Sequence, residues 1–232
     1  MGFVGYVAVR LLGSGRGMLV TGAVGGLVSS TAVTLASAAR ARQSPSLAGV
    51  AGLSVLVASV VMFARLLAVL AAVDATLFRA VLAPLSAMGA VMVTGTIILY
   101  LREGRHEKAA AAVQVQNPFE LSSALKFGAL FVGVLLVTSW AQSTFGASGA
   151  YVTGFLAGLT DVDAPSLSMA NLLKSGEIEL GVARTTVVIA TCANTLSKSV
   201  LALALGGKVM GLRVGLISAA ALVGGVVAVT LG

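Results

Sequence analysis

Seven long apolar runs recur along the chain, at about residues 17–39, 47–72, 80–101, 121–143, 149–172, 180–205 and 210–231, separated by short polar or glycine-rich joints. Each holds enough consecutive apolar residues to cross about 30 Å of hydrocarbon as a helix rising 1.5 Å per residue. An eighth run, residues 2–12, is too short to cross alone and has no cleavable signal pattern, so it is predicted to be a half-helix or the tail of a longer architecture; a truncated chain fits it best. One long polar connection, residues 102–116, divides the chain into halves of about 1–101 and 117–232. Directly after it, Asn117-Pro118-Phe119-Glu120 has the chemistry of a helix start: Asn as cap, Pro in the first turn and Glu reaching back. Glu120 at the membrane interface is the alternative reading. The pattern predicts an all-α polytopic transmembrane helix bundle of about seven to eight segments, forming a single integral membrane domain over 1–232.

The halves resemble each other at one constant offset, which sets Thr21 against Thr153. Val20-Thr21-Gly22 matches Val152-Thr153-Gly154, Gly26-Leu27 matches Gly158-Leu159, and Gly49-Val50-Ala51 matches Gly181-Val182-Ala183, within 13 identities over the ungapped positions 20–58. A chain rich in Ala, Gly, Leu and Val produces some matches by chance, but not readily this many without a gap. An internal two-fold repeat is expected, and transporter folds commonly place a substrate site where such repeats meet. Four spans separate equivalent points, which makes the repeats parallel; one re-entrant segment would make them inverted.

Composition bears out the membrane reading, since 58% of residues are hydrophobic and 10% charged, against about 25% charged in a soluble domain. The net charge of +7 comes from basic residues spread thinly over short joints, which excludes a nucleic-acid face and suits cytoplasmic loops. Eight Lys and Arg fall on the side that carries Arg40 and Arg42, against five on the other. The lone Cys192 forms no intramolecular disulfide and no multi-cysteine metal site.

The chemistry concentrates at Gly158-Leu159-Thr160-Asp161-Val162-Asp163-Ala164, which places two carboxylates inside an apolar segment. A carboxylate at the centre of a bilayer costs about 2.5–3.5 kcal/mol on insertion scales, so it usually faces a partner, water or an ion. At the repeat offset stand Ser29, Ser30 and Thr31. Both stretches are poor helix material, and Pro165 follows the second, so both are expected to be locally unwound. Carboxylates, hydroxyls and free carbonyls form a hard-oxygen site for Mg²⁺, Ca²⁺, Na⁺ or protons, with Asp161 and Asp163 as candidate metal ligands. Two other readings stay open: the aspartates cap a helix beginning at Ala164, or they pair with a basic residue in a span. Asn194, Ser197 and Lys198 share one face of a span. Arg65 occupies nearly the Lys198 position in the first half, where each basic group counters an aspartate, binds an anion or snorkels to the interface.

The stretches Val4-Gly5-Tyr6-Val7-Ala8-Val9-Arg10, Gly25 to Ala32, Asn117 to Leu121 and Gly158 to Ala164 together resemble the uncharacterised membrane domain found C-terminal to MgtC/SapB domains in bacteria and archaea. The resemblance covers nearly the whole chain. It implies a multi-pass protein of the prokaryotic cytoplasmic membrane with no established substrate, sometimes linked to a domain associated with magnesium limitation; no MgtC-like half is present in this sequence.

The expected function is that of a secondary transporter or channel-like carrier of a small cation or proton. Asp161 and Asp163 would bind the ion, Ser29, Ser30 and Thr31 form the neutral counterpart, and Asn194, Lys198, Arg65 and Glu120 make a polar shell. No cofactor is expected beyond a bound cation such as Mg²⁺ or Na⁺. The rival is a non-transporting membrane subunit that binds or regulates a partner, such as an MgtC-like domain or a second copy of itself, its small residues serving helix association. Aspartates that are inaccessible and paired to Lys198 or Arg65 would favour the rival; a wet cavity would favour transport. An enzyme is not expected, because no nucleophile and base are paired and His106 is the only histidine.

Overall fold

Backbone amides have no water to bond in hydrocarbon, so a chain this apolar satisfies them internally as helix. The computed structural model describes residues 2–103 and 149–231, and every regular element in them is helical. These are α1 (Gly2–Gln43), a 3-10 turn (Pro45–Leu47), α2 (Ala48–Val73), α3 (Ala75–Glu103), α4 (Ala150–Gly158), α5 (Asp163–Lys174), α6 (Leu180–Gly206) and α7 (Lys208–Leu231). The expected span at 121–143, most of the polar connection with His106, and the helix start at 117–120 with Glu120 lie outside the described residues.

Five stretches are long and apolar enough to cross a membrane: Leu19–Gln43, Pro45–Val73, Ala75–Arg102, Leu180–Gly206 and Lys208–Thr230. They answer to five of the seven runs in the sequence. The run at 149–172 is divided into α4 and α5, of nine and twelve residues, and neither alone reaches across about 30 Å. Two expectations are corrected. Residues 2–12 are no separate half-helix but the start of α1, which runs unbroken through Gly13-Ser14-Gly15-Arg16-Gly17. Gly26 to Ala32 is not unwound either, because α1 continues through it.

Short joints connect the helices. Asp74 alone separates α2 from α3, and its Oδ1 accepts the Leu77 N–H at 2.7 Å, capping α3. Gly207 alone separates α6 from α7 with φ of 85°, a conformation that side-chain-bearing residues rarely adopt.

The described residues gather into two compact units. The first holds α1, α2 through Phe63, α3 from Gly89, α6 from Lys198 and α7 through Ala221. In its core Val33, Ala38, Val55, Leu56, Met62, Phe63 and Met210 are fully buried. Helices α1 and α2 approach closely: a Cβ on Gly26 would lie 2.8 Å from Ala58 Cα, and one on Gly22 would lie 2.6 Å from Ser54 O.

The second unit holds α2 from Ala64, α3 through Met88, α4, α5, α6 through Ser197 and α7 from Leu222. Its core includes Leu66, Leu70, Leu77, Leu85, Val187 and Ala190. Here α4 approaches α6, with Gly154 against Thr186 and Gly158 against the Ala190 backbone. At the repeat offset these two contacts correspond to Gly22–Ser54 and Gly26–Ala58 in the first unit. Small residues let helix backbones approach where lipid supplies no hydrophobic drive between helices.

Large apolar side chains cover much of the outside, among them Val28 at 73% and Leu216 at 70% exposure. Such a surface suits lipid contact and would be an aggregation hazard in water. The chain is accordingly described as a membrane protein.

The close approach of α1 to α2 makes a direct test. Gly26→Val is expected to lower folding stability by about 1–3 kcal/mol through overpacking, whereas Gly215→Ala, inside α7 with nothing within 4 Å of the added carbon, is expected to be neutral or to stabilise by up to about 1 kcal/mol. Thermal unfolding of the two purified variants in detergent measures the difference.

Candidate functional site

The interruption between α4 and α5 has a local cause. Pro165 has no N–H to give the carbonyl of residue 161, and its ring crowds that carbonyl, which weakens a helix through 161–165; α3 runs on through Pro84, so the break here also draws on Thr160, Asp161 and Asp163, poor helix formers, and on the Asp161 cap at Ala164. Pro is tolerated in a first turn, and α5 accordingly begins at Asp163, two residues before it. Val33 stands at the corresponding place in α1, where no such obstacle exists and the helix continues.

The interrupted backbone is largely satisfied from within. Ala157 O accepts the N–H groups of Thr160 at 3.1 Å and Asp161 at 3.0 Å, together with the Thr160 hydroxyl at 2.9 Å. Asp161 Oδ2 accepts the Ala164 N–H at 3.1 Å and so caps the start of α5. Gly158 O, at the end of α4, accepts Asn194 Nδ2 from α6 at 2.9 Å. The same local bonding recurs at the corresponding positions of α1, inside continuous helix: Ser29 Oγ accepts the Ala32 N–H at 3.2 Å, and Thr34 Oγ1 donates to Ser30 O as Ser166 Oγ does to Val162 O.

Asp163 forms an ion pair with Arg65 of α2, Arg65 Nη2 donating to Asp163 Oδ2. Both side chains are partly accessible, at 20% for Arg65 and 24% for Asp163. The cap and the ion pair, alternatives for both aspartates in the sequence, are each realised by one of them. The two carboxylates therefore have separate duties in the second unit.

Asn194 is 1% exposed and its Oδ1 has no hydrogen-bond partner. Lys198, 2% exposed, belongs to the first unit, where its Nζ lies 2.9 Å from Met62 Sδ, a weak acceptor. Ser30 and Thr31 are buried in the first unit as well, with Ser29 partly so. The structure thus brings Arg65, Asp161, Asp163 and Asn194 together in one unit and assigns Lys198 and Ser29 to Thr31 to the other. Glu120 lies outside the described residues. Among the described residues no three of His, Cys, Asp and Glu gather to hold a metal.

Sequence reasoning missed the Asn194–Gly158 bond and the Met62 neighbour of Lys198. A signal existed for both, since Met62 occupies the Asn194 position at the repeat offset. A cleft of about 390 Å³ in the second unit, lined by Phe155, Val188, Cys192, Leu196, Leu222 and Val226, offers almost no polar surface and suits an acyl chain rather than an ion.

One relative is an uncharacterized protein of Aquifex aeolicus (strain VF5), 31% identical over 192 residues, covering 82% of this chain and 83% of its own length. No solved structure matches the chain. The model of a domain of unknown function, DUF4010, matches residues 1–206, which takes in α1, α2, α3 and the interrupted α4–α5 pair with its partner α6; the chain belongs to the DUF4010 family.

Proposed function

We propose that this chain is a carrier of a small cation or proton across the cytoplasmic membrane of a prokaryote, and that the interruption between α4 and α5 is its ion site. The observation that carries the reading is the helix interruption itself, with Asp161 in it and Asp163 at its end still partly accessible. Irregular backbone at membrane depth is tolerated where it is buried in protein or lines a cavity, and transporters use such interruptions to meet ions with helix ends and carbonyls. Ionisable residues in a span cost several kcal/mol and are kept where an ion or proton path uses them.

In this reading Asp163 exchanges partners. With Arg65 it forms a neutral pair and the segment rests. A proton or cation reaching Asp163 weakens the pair, releases the guanidinium and loosens the start of α5. Asp161 keeps α5 capped meanwhile, so the movement is confined to the interruption. The two halves are read as repeats, because glycine contacts and side-chain bonds correspond at the constant offset; α1, unbroken, is the rigid counterpart of α4–α5, with Ser29, Ser30 and Thr31 in place of the acidic segment.

A second reading is favoured by the pairing itself, since a carboxylate already engaged by Arg65 is what a non-transporting subunit would have. In that case the chain binds or regulates a partner, an MgtC-like domain as its resemblance implies or another copy of itself, and the pair is structural.

Two measurements separate the readings. Reconstituted in proteoliposomes and tested with Mg²⁺, Na⁺, K⁺ and a proton gradient, the protein is expected to support flux of one ion that disappears in the Asp161→Asn/Asp163→Asn variant. No flux from folded protein for any of the four would favour the partner-binding subunit. Independently, Asp163→Asn and Arg65→Gln are each expected to cost about 1–2 kcal/mol of stability, below the buried-pair range because both groups are partly accessible. The exchanged pair Arg65→Asp/Asp163→Arg should recover part of that loss in thermal unfolding while leaving flux impaired.

A further inference from the structure

We propose that α4 and α5 form a re-entrant hairpin: the chain enters and leaves the membrane at one face, and the tip, residues 159–162, stands near the middle of the hydrocarbon. The inference goes beyond the carrier reading and does not depend on it. It starts from the direction in which α4 meets α6. Gly154 lies against Thr186 and Gly158 against Ala190, so an advance of one turn along α4 is matched by one turn along α6. The bond from Asn194 Nδ2 to Gly158 O, at 2.9 Å, again joins the end of α4 to this part of α6. Helix α4 therefore runs in the same direction as α6 and begins beside the start of α6.

Helix α5 must then come back. From Leu180, where α6 starts, to Ala190, beside the end of α4, the helix rises about 15 Å. Were α5, with its twelve residues, to continue in the direction of α4, its end would stand more than about 30 Å from Leu180. The joint does not reach that far. Glu177 N–H donates to Leu172 O at 3.0 Å and Gly176 N–H to Leu173 O at 3.1 Å, with Gly176 at φ of 75°, which is the Schellman ending of a helix. Glu177 is thereby held to the last turn of α5, and the chain from it to Leu180 spans about 11 Å at most. The reversal consequently falls at the interruption. The joint, where Lys174, Ser175, Glu177 and Glu179 are exposed, belongs to the membrane surface. A tip about 15 Å from that surface is near the middle of a hydrocarbon layer about 30 Å thick. Asp161 and the Arg65–Asp163 pair are brought to that depth, where the carbonyl end of α4 meets the amide end of α5. With α4–α5 no longer a crossing, the count of apolar runs between equivalent points becomes odd, and the repeats are inverted rather than parallel.

The test is sidedness, read on a Cys192→Ala background in sealed vesicles of known orientation with a membrane-impermeant maleimide. Tyr151→Cys, in the first turn of α4 and 41% exposed, and Ser175→Cys, in the joint after α5, are expected to be labelled from the same face. Lys208→Cys, past the far end of α6, should be labelled from the opposite one. Labelling of Tyr151→Cys and Ser175→Cys from opposite faces would overturn the hairpin. A second readout stands if Tyr151→Cys stays silent. Ala150→Cys with Val182→Cys, one turn before the contact of Gly154 with Thr186, is expected to close as a disulfide under mild oxidation, because the first turns of α4 and α6 lie side by side. A pair that stays open would also overturn the hairpin, since a crossing α4–α5 would start about 30 Å from the start of α6. Neither readout involves transport, so absence of flux would dismiss the carrier and leave the hairpin, and opposite-face labelling with flux intact would do the reverse.

Discussion

The obligation of every backbone N–H and C=O to find a partner where water is absent governs this structure. Seven helices meet it by internal bonding among the described residues. Between α4 and α5 the helix is given up: Pro165 removes a donor and crowds a carbonyl, as Pro84 does within the continuous α3, but here, among Thr and Asp residues that favour turns and caps, the chain ends α4, turns through four residues and starts α5. Bonds from Thr160, Asp161 and Asn194 then do what helix would have done. A helix interruption supported in this way is a polar place in apolar surroundings, with Asp161 in it and the Arg65–Asp163 pair at its end.

Charge follows the same logic. Arg65 and Asp163 would each be costly alone in a membrane, and together they form a neutral pair. Partial accessibility keeps the pair weak. Lys198 is treated differently in the first unit, buried beside the polarizable sulfur of Met62. The interrupted helix has Asp161, Asp163 and Pro165 where the continuous one has Ser29, Thr31 and Val33.

Much of the fold was legible because apolar run length and membrane thickness are tied by helix rise: five runs reappear as helices long enough to cross. Asp161 and Asp163 were legible as exceptional because charge in such a run is costly. The continuity of α1 was not, since Gly13, Gly15 and Gly17 read as a joint, while each glycine costs a helix only about 1 kcal/mol, less than unbonded backbone would in lipid. The division of labour between the aspartates was also hidden. Which one caps and which one pairs depends on where α2 brings Arg65, a tertiary fact with no local signal. The unbroken course of α1 through Gly26 to Ala32 goes with Ser29, Thr31 and Val33 in place of Asp161, Asp163 and Pro165, a contrast visible only once the halves are set side by side.

The central claim is that the interruption between α4 and α5 meets water while the corresponding part of α1 does not. It is tested most directly by thiol labelling in membrane vesicles of both orientations, on a Cys192→Ala background. Thr160→Cys and Val28→Cys stand at corresponding places, one in the interruption and one on the apolar outside of α1, and a thiol reacts with a charged maleimide only where water lets it ionise. The account predicts that Thr160→Cys is labelled and Val28→Cys is not. Silence at Thr160→Cys from both faces, with Ser175→Cys in the exposed turn after α5 labelled normally, would contradict it.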